Sequence, residues 1–203
     1  LALVGAYSGG IYGIQSTSVA NAMLLFASAP FMAAILGWIF LREIVRKATW
    51  VAILFAIAGI GIMVQDKTQG GAALLGNLAA LGSAFGFAVF TVALRWGRSG
   101  DMLPAVFLSG IFAIFITSSI CLLSGLSFQI SFNDTSISMG MGVFQVGAGL
   151  VLYTLGSKTL PAAELTLLSL AEVLLGPLWV YLFLNEVATL NTLLGGLVLL
   201  LAI

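Results

Sequence analysis

Residues 29–52 read APFMAAILGWIFLREIVRKATWVA. No charge falls between Ala29 and Leu41; Arg42, Glu43, Arg46 and Lys47 then arrive together before the apolar run resumes. A second stretch, AEVLLGPLWVYLFLNEVATLNTLLG at 171–195, follows the same plan. Aligning Glu43 with Glu186 pairs Phe40 and Leu41 with Phe183 and Leu184, and Thr49 with Thr192. Upstream, without a gap, Ala20, Leu24 and Leu25 pair with Ala163, Leu167 and Leu168. An apolar run closed by a glutamate thus occurs twice.

The composition says what such runs are. Of 203 residues, 61% are hydrophobic and 7% charged, against about 25% charged in soluble domains. Mean hydropathy is +1.20, and 24 glycines suit membrane helices. There are too few polar residues to coat a soluble core. The net charge of zero gives no electrostatic footprint for nucleic acid. The chain has no His and one cysteine, Cys121, so an internal disulfide is excluded. No cofactor or metal site is read. Leu1 is not preceded by a basic n-region, so no signal peptide is read; the sequence is expected to start inside a longer protein.

A membrane span needs about 20 mostly apolar residues. Breaking the chain at charges and turn residues predicts eight spans: roughly 1–16, 20–41, 48–65, 72–95, 102–124, 136–157, 162–184 and 188–203. Alternate breaks contain Arg42, Arg46 and Lys47, then Arg95 and Arg98, then Lys158; the others hold only Lys67. By the positive-inside rule the first set faces the cytoplasm, which puts Leu1 on that side with an even number of helices before it.

The two copies lie five helices apart, so they insert in opposite directions. The loop after Glu43 carries Arg46 and Lys47, whereas Glu186 is followed by Val187, Ala188, Thr189 and Leu190. Inverted repeats are a common plan of secondary transporters, with a site near the midplane that faces each side in turn. A five-helix repeat implies ten helices, two of them before Leu1. The expected fold is therefore all-α and integral to the membrane, with eight transmembrane helices of a ten-helix inverted (5+5) repeat. Residues 1–65 would hold the last three helices of the first repeat, and 66–203 the five of the second.

The strings APFMAAILGWIFLRE, FQVGAGLVLYTLGSKTLPA and LPAAELTLLSLAEVLLGPLWVYLFLNE resemble the EamA type of the drug/metabolite transporter superfamily. The resemblance spans essentially the whole chain and is strongest over 139–203. It implies a ten-helix carrier of the bacterial inner (plasma) membrane, often an exporter of amino acids, other metabolites or drugs. Glu172 matches a position where the second repeat often has Glu before Pro; here Val173 follows, and the proline comes at Pro177.

Candidate site residues follow from polarity inside apolar runs. An acid at the bilayer centre costs roughly 2.5–3.5 kcal/mol on insertion scales and marks ion or proton pathways. Glu172 is therefore the first candidate for substrate binding or proton coupling; the alternative is a neutral acid hydrogen-bonded for packing. Its repeat counterpart is Ala29, so the chemistry is asymmetric. Gln145 and Tyr153 on the span GMGVFQVGAGLVLYTLG, Trp179, and Tyr12 on the first span are further substrate-binding candidates. The alternative for Tyr153 is an interface residue, and Trp38, Trp50 and Trp96 read as interface anchors. Pro30 and Pro177 each remove a helix hydrogen bond and could break or gate their helices; a packing kink is the alternative. Glu43 and Glu186 read as repeat-end residues, Glu43 with surface pairs to Arg42 and Arg46. Glu164 suits a helix start. The pattern GSAFG at Gly82 and Gly86 reads as an internal helix contact, with a homo-oligomer left open.

The functional expectation is a secondary transporter, favouring export of a small organic solute by alternating access, with proton coupling as an option. The alternative is a passive channel or a scaffold. An enzyme is excluded: with no His, and Asp66, Asp101 and Asp134 read in loops, no catalytic set assembles. The expected partners are the solute and the lipid bilayer.

Overall fold

The computed structural model describes residues 1–45, 47–64, 70–123, 125, 131–168, 181–183, 190, 193–194 and 197–198. The apolar runs fold as helices: α1 Ala2–Ser16, α2 Val19–Phe26, α3 Ala29–Leu36, α4 Lys47–Val64, α5 Gly70–Trp96, α6 Leu103–Leu123, α7 Phe132–Gly140, α8 Ala148–Gly156 and α9 Ala162–Leu168. Among the described residues, two π-helical segments extend them: Gly37–Leu41 continues α3, and Met141–Gly147 joins α7 to α8. Among the described residues, Val19–Leu41, Leu74–Trp96, Leu103–Leu123 and Phe132–Gly156 are long and apolar enough to cross a membrane.

The first five expected spans agree with these helices within a few residues. The expected span 20–41 is interrupted near its proline. The helix halts at Ala27 and Ser28, whose amides reach back three residues to the carbonyls of Leu24 and Leu25, and restarts with Pro30 in the first turn of α3, where its missing N–H does no harm. The sixth span begins at Phe132, not 136, and Asp134 lies in its first helical turn rather than in a loop. Ser131 is the reason. Its hydroxyl accepts from the Asp134 amide and donates to the Asp134 carboxylate at 2.8 Å, an N-cap made by one side chain. The seventh span is described through Leu168, and most of the eighth lies outside the described residues.

Helix α5 is the hub, packing against α1, α2, α3 and α9. Its contact with α1 is backbone-close and antiparallel. A Cβ on Gly13 would lie 3.1 Å from Ala80, one on Gly9 3.0 Å from the Ala79 carbonyl, and one on Gly86 3.0 Å from the Ala2 carbonyl. Small residues let membrane helices approach in this way. Gly86 thus makes the internal contact expected of GSAFG, whereas Gly82 faces open space.

Polarity is distributed inside out. Asn21, Ser28, Asn77, Ser83, Thr91 and Arg95 are buried, while Phe107, Phe112, Ile114, Phe115 and Leu122 of α6 are exposed. No residue of α6 is buried. Such a surface would aggregate in water and suits lipid, which needs no polar shell.

Candidate functional site

Two groups of polar side chains stand at opposite ends of α5. At one end, the Asn21 side-chain amide on α2 donates to the side-chain oxygen of Asn77 on α5 and, at 3.3 Å, to the Thr17 hydroxyl. Ser18 caps α2 by accepting from the Asn21 amide. Along α5, Asn77 and Arg95 stand about 27 Å apart at 1.5 Å per residue, close to the thickness of a bilayer core.

At the other end stands Glu43. The π turn Gly37–Leu41 closes on Arg42, whose φ of 55° is left-handed, an uncommon choice for a non-glycine residue. This reverses the chain, and the Glu43 amide bonds back to the Gly37 carbonyl at 3.2 Å. The Glu43 carboxylate then turns into the bundle. Its Oε1 accepts from Arg95 Nε at 3.0 Å, and its Oε2 accepts from the Ala162 amide at 3.4 Å. Arg95 Nη1 donates further to the carbonyls of Ser157 and Lys158, at 3.3 and 3.1 Å. Among the described residues the ion-pair partner of Glu43 is Arg95, not the neighbouring Arg42, and the side chains are only 24% and 10% exposed; Arg46 lies outside the described residues. The left-handed turn at Arg42 aims Glu43 at α5 instead of along its own loop.

Beside this pair lies a cavity of about 450 Å³, lined among others by Ala34, Thr49, Glu43, Arg95 and Glu164. Glu164 sits in the first turn of α9. The cluster brings together three of the breaks that the charge pattern assigns to one membrane face: 42–45, the end of α5, and 157–162.

The remaining candidates have different surroundings. Tyr153 is half-buried. Its hydroxyl lies 2.7 Å from that of Thr91, and its ring packs against Phe87 and Phe90, at 5.2 and 6.3 Å between centroids. It joins a cluster built on Leu3, Phe90 and Leu94. Gln145 is exposed on the second π segment, and π turns recur at functional sites. Tyr12 is exposed on α1. Pro30 is buried at the break between α2 and α3, where the Ser28 hydroxyl is satisfied by the Leu25 carbonyl. Trp38 and Trp50 form an edge-to-face pair at 5.3 Å. Glu172, Pro177, Trp179 and Glu186 lie outside the described residues.

Sequence reasoning did not single out Asn21, Asn77, Thr91 or Arg95 as site residues. Asn77 carried a signal, since an amide inside an apolar helix needs a partner. Arg95 carried none that names Glu43.

A helical bundle with an apolar exterior and polar groups paired inside is an integral membrane protein. The chain belongs to the EamA-like transporter family, whose sequence profile matches residues 1–65 and 74–203. The family is one of transporters, not of enzymes. Uncharacterized transporter YwfM of Bacillus subtilis (strain 168) is 27% identical over 90% of this chain. An uncharacterized transporter of Methanothermobacter thermautotrophicus is 22% identical over 93% of the chain. Mouse (Mus musculus) solute carrier family 35 member G1 is 36% identical over 44% of the chain and 28% of its own length. The chain spans 62% of the length of the first of these and 56% of the second. A solved crystal structure shares the fold with a TM-score of 0.67 at 17% identity, over 99% of this chain and 71% of that one.

Proposed function

We propose that the chain is the larger part of a secondary transporter that moves a small organic solute across a bacterial inner membrane by alternating access, in the export direction and coupled to protons. Family membership carries the transporter reading. Two observations support the inverted repeat beneath it. Helices α2 and α9 begin at Val19 and Ala162, which fall opposite each other in the register that pairs Glu43 with Glu186. The two stretches matched by the family also fall either side of residues 66–73, near where the repeats divide.

The role of proton carrier falls to Glu172, the acid in the apolar run 169–184; intramembrane acids mark such pathways. Gln145, Tyr153, Trp179 and Tyr12 supply candidate solute contacts, and Pro30 and Pro177 the helix breaks. The spans contain no cluster of Arg or Lys, which favours amino acid-like or amine solutes over strongly anionic ones.

The direct test is a growth screen of a sensitised strain expressing the full-length protein, across amino acids and toxic amines. Rescue against at least one solute, lost in Glu172→Gln at equal expression, is the expected result. Flux in proteoliposomes with unchanged pH dependence in Glu172→Gln would remove the proton role.

A further inference from the structure

We infer that Arg95 is the gating residue of the basic-loop end: shared between Glu43 and the 157–158 turn, it holds that end shut and must let go for the adjacent cavity to open. The inference rests on the alternating-access reading above and adds the part that moves.

Three features lead to it. Arg95 is 10% exposed at its side chain, so water offers its guanidinium little compensation, and a charge so placed needs its partners. Those partners belong to separate segments. Glu43 ends the α3 helix with its π turn, while Ser157 and Lys158 form the turn between α8 and α9. A planar guanidinium can bridge such groups at once, which an ammonium cannot do as well. Finally, the carboxylate that holds Arg95 also accepts from Ala162 at the start of α9, and both charges line the 450 Å³ cavity with Ala34, Thr49 and Glu164. Any motion that withdraws α5 from the α8–α9 turn breaks charge-assisted bonds, which are about twice as strong as neutral ones. The opposite end is joined by the neutral pair Asn21–Asn77.

A mere brace and a gate differ in what their loss exposes. Ala34 lines the cavity and is 4% exposed. The test uses full-length protein with Cys121→Ala and Ala34→Cys, in inside-out vesicles treated with a membrane-impermeant maleimide. Arg95→Gln is expected to raise labelling at position 34 about tenfold, a population shift of about 1.4 kcal/mol. Arg95→Lys should fall between it and the parent. A control cysteine, Ala22→Cys, at a site fully buried in the packing of α2 against α5, should stay unlabelled.

Labelling at position 34 that responds to the transported solute in the parent but is unchanged by Arg95→Gln would overturn the gate and leave alternating access standing. A parent that never responds to the solute would overturn both. If both cysteines react in Arg95→Gln, the fold is lost and Glu43→Gln decides, since it keeps the shape and removes the charge. Raised labelling at position 34 alone then supports the gate, and parental labelling overturns it.

Discussion

Gly76→Ala and Gly82→Ala add the same methyl group to the same helix and should change stability in opposite directions. Gly76 of α5 faces the turn after α1. A Cβ there would lie 2.7 Å from the Ser16 carbonyl carbon and 2.8 Å from the Thr17 nitrogen, against about 3.5–4.0 Å for unstrained carbon contacts. Both obstacles are backbone, so α5 must retreat by about 1 Å. The neighbouring residue, Asn77, is tied to Asn21 on α2 and resists that retreat. Overpacking of this kind costs roughly 1–3 kcal/mol, less up to about 1 kcal/mol that alanine returns over glycine in a helix. A net loss of up to about 2 kcal/mol is expected. Gly82 has nothing within 4 Å, so its substitution keeps the helix gain, up to about 1 kcal/mol. Unfolding of purified full-length protein in mixed micelles, titrated with a denaturing detergent and followed by circular dichroism, measures both. Equal shifts, or a stabilising Gly76→Ala, would refute the close approach of α5 to the α1–α2 turn.

Other outcomes follow from the same contacts. A double-mutant cycle on Asn21→Ala and Asn77→Ala should give a coupling of about 0.6 kcal/mol, and no more than about 1.7, the average and the maximum for hydrogen bonds between membrane helices; zero coupling would show that the amide pair does not link α2 to α5. Tyr153→Phe keeps the ring stack and loses the hydroxyl shared with Thr91, which retains its bond to the Phe87 carbonyl at 2.9 Å. The loss should be about 1 kcal/mol or less, whereas Tyr153→Ala should cost about 3–5 kcal/mol, both read in the same unfolding assay. Similar losses for the two would mean that the ring contacts with Phe87 and Phe90 contribute little.

Helix positions were legible in the sequence because apolar length alone sets them: α4, α5 and α6 start and stop where charges and turn residues break the runs. Local polar chemistry was harder to read. The string Asn133, Asp134, Thr135, Ser136 looks like a loop by composition, yet Ser131 and Asp134 turn it into a capped helix start. Pairings across the bundle were not readable. The Glu43–Arg95 contact joins residues 52 apart in sequence, and it depends on which helices neighbour α5 and on a left-handed turn at Arg42. The glycines show the same limit. Ala79, Ser83 and Gly86 follow the three-and-four spacing of one helix face and meet α1, whereas Gly82 falls off that stripe. A small-xxx-small pattern names two positions; packing uses one.

A carrier that alternates between two faces is told from a pore by counterflow. Proteoliposomes of the full-length protein are loaded with the unlabelled solute found by the growth screen, and entry of the labelled solute is followed. A carrier predicts transient accumulation of label above equilibrium and faster entry than into empty vesicles. Entry at the same rate whether or not solute waits inside would describe a pore and rule out alternation between the two faces.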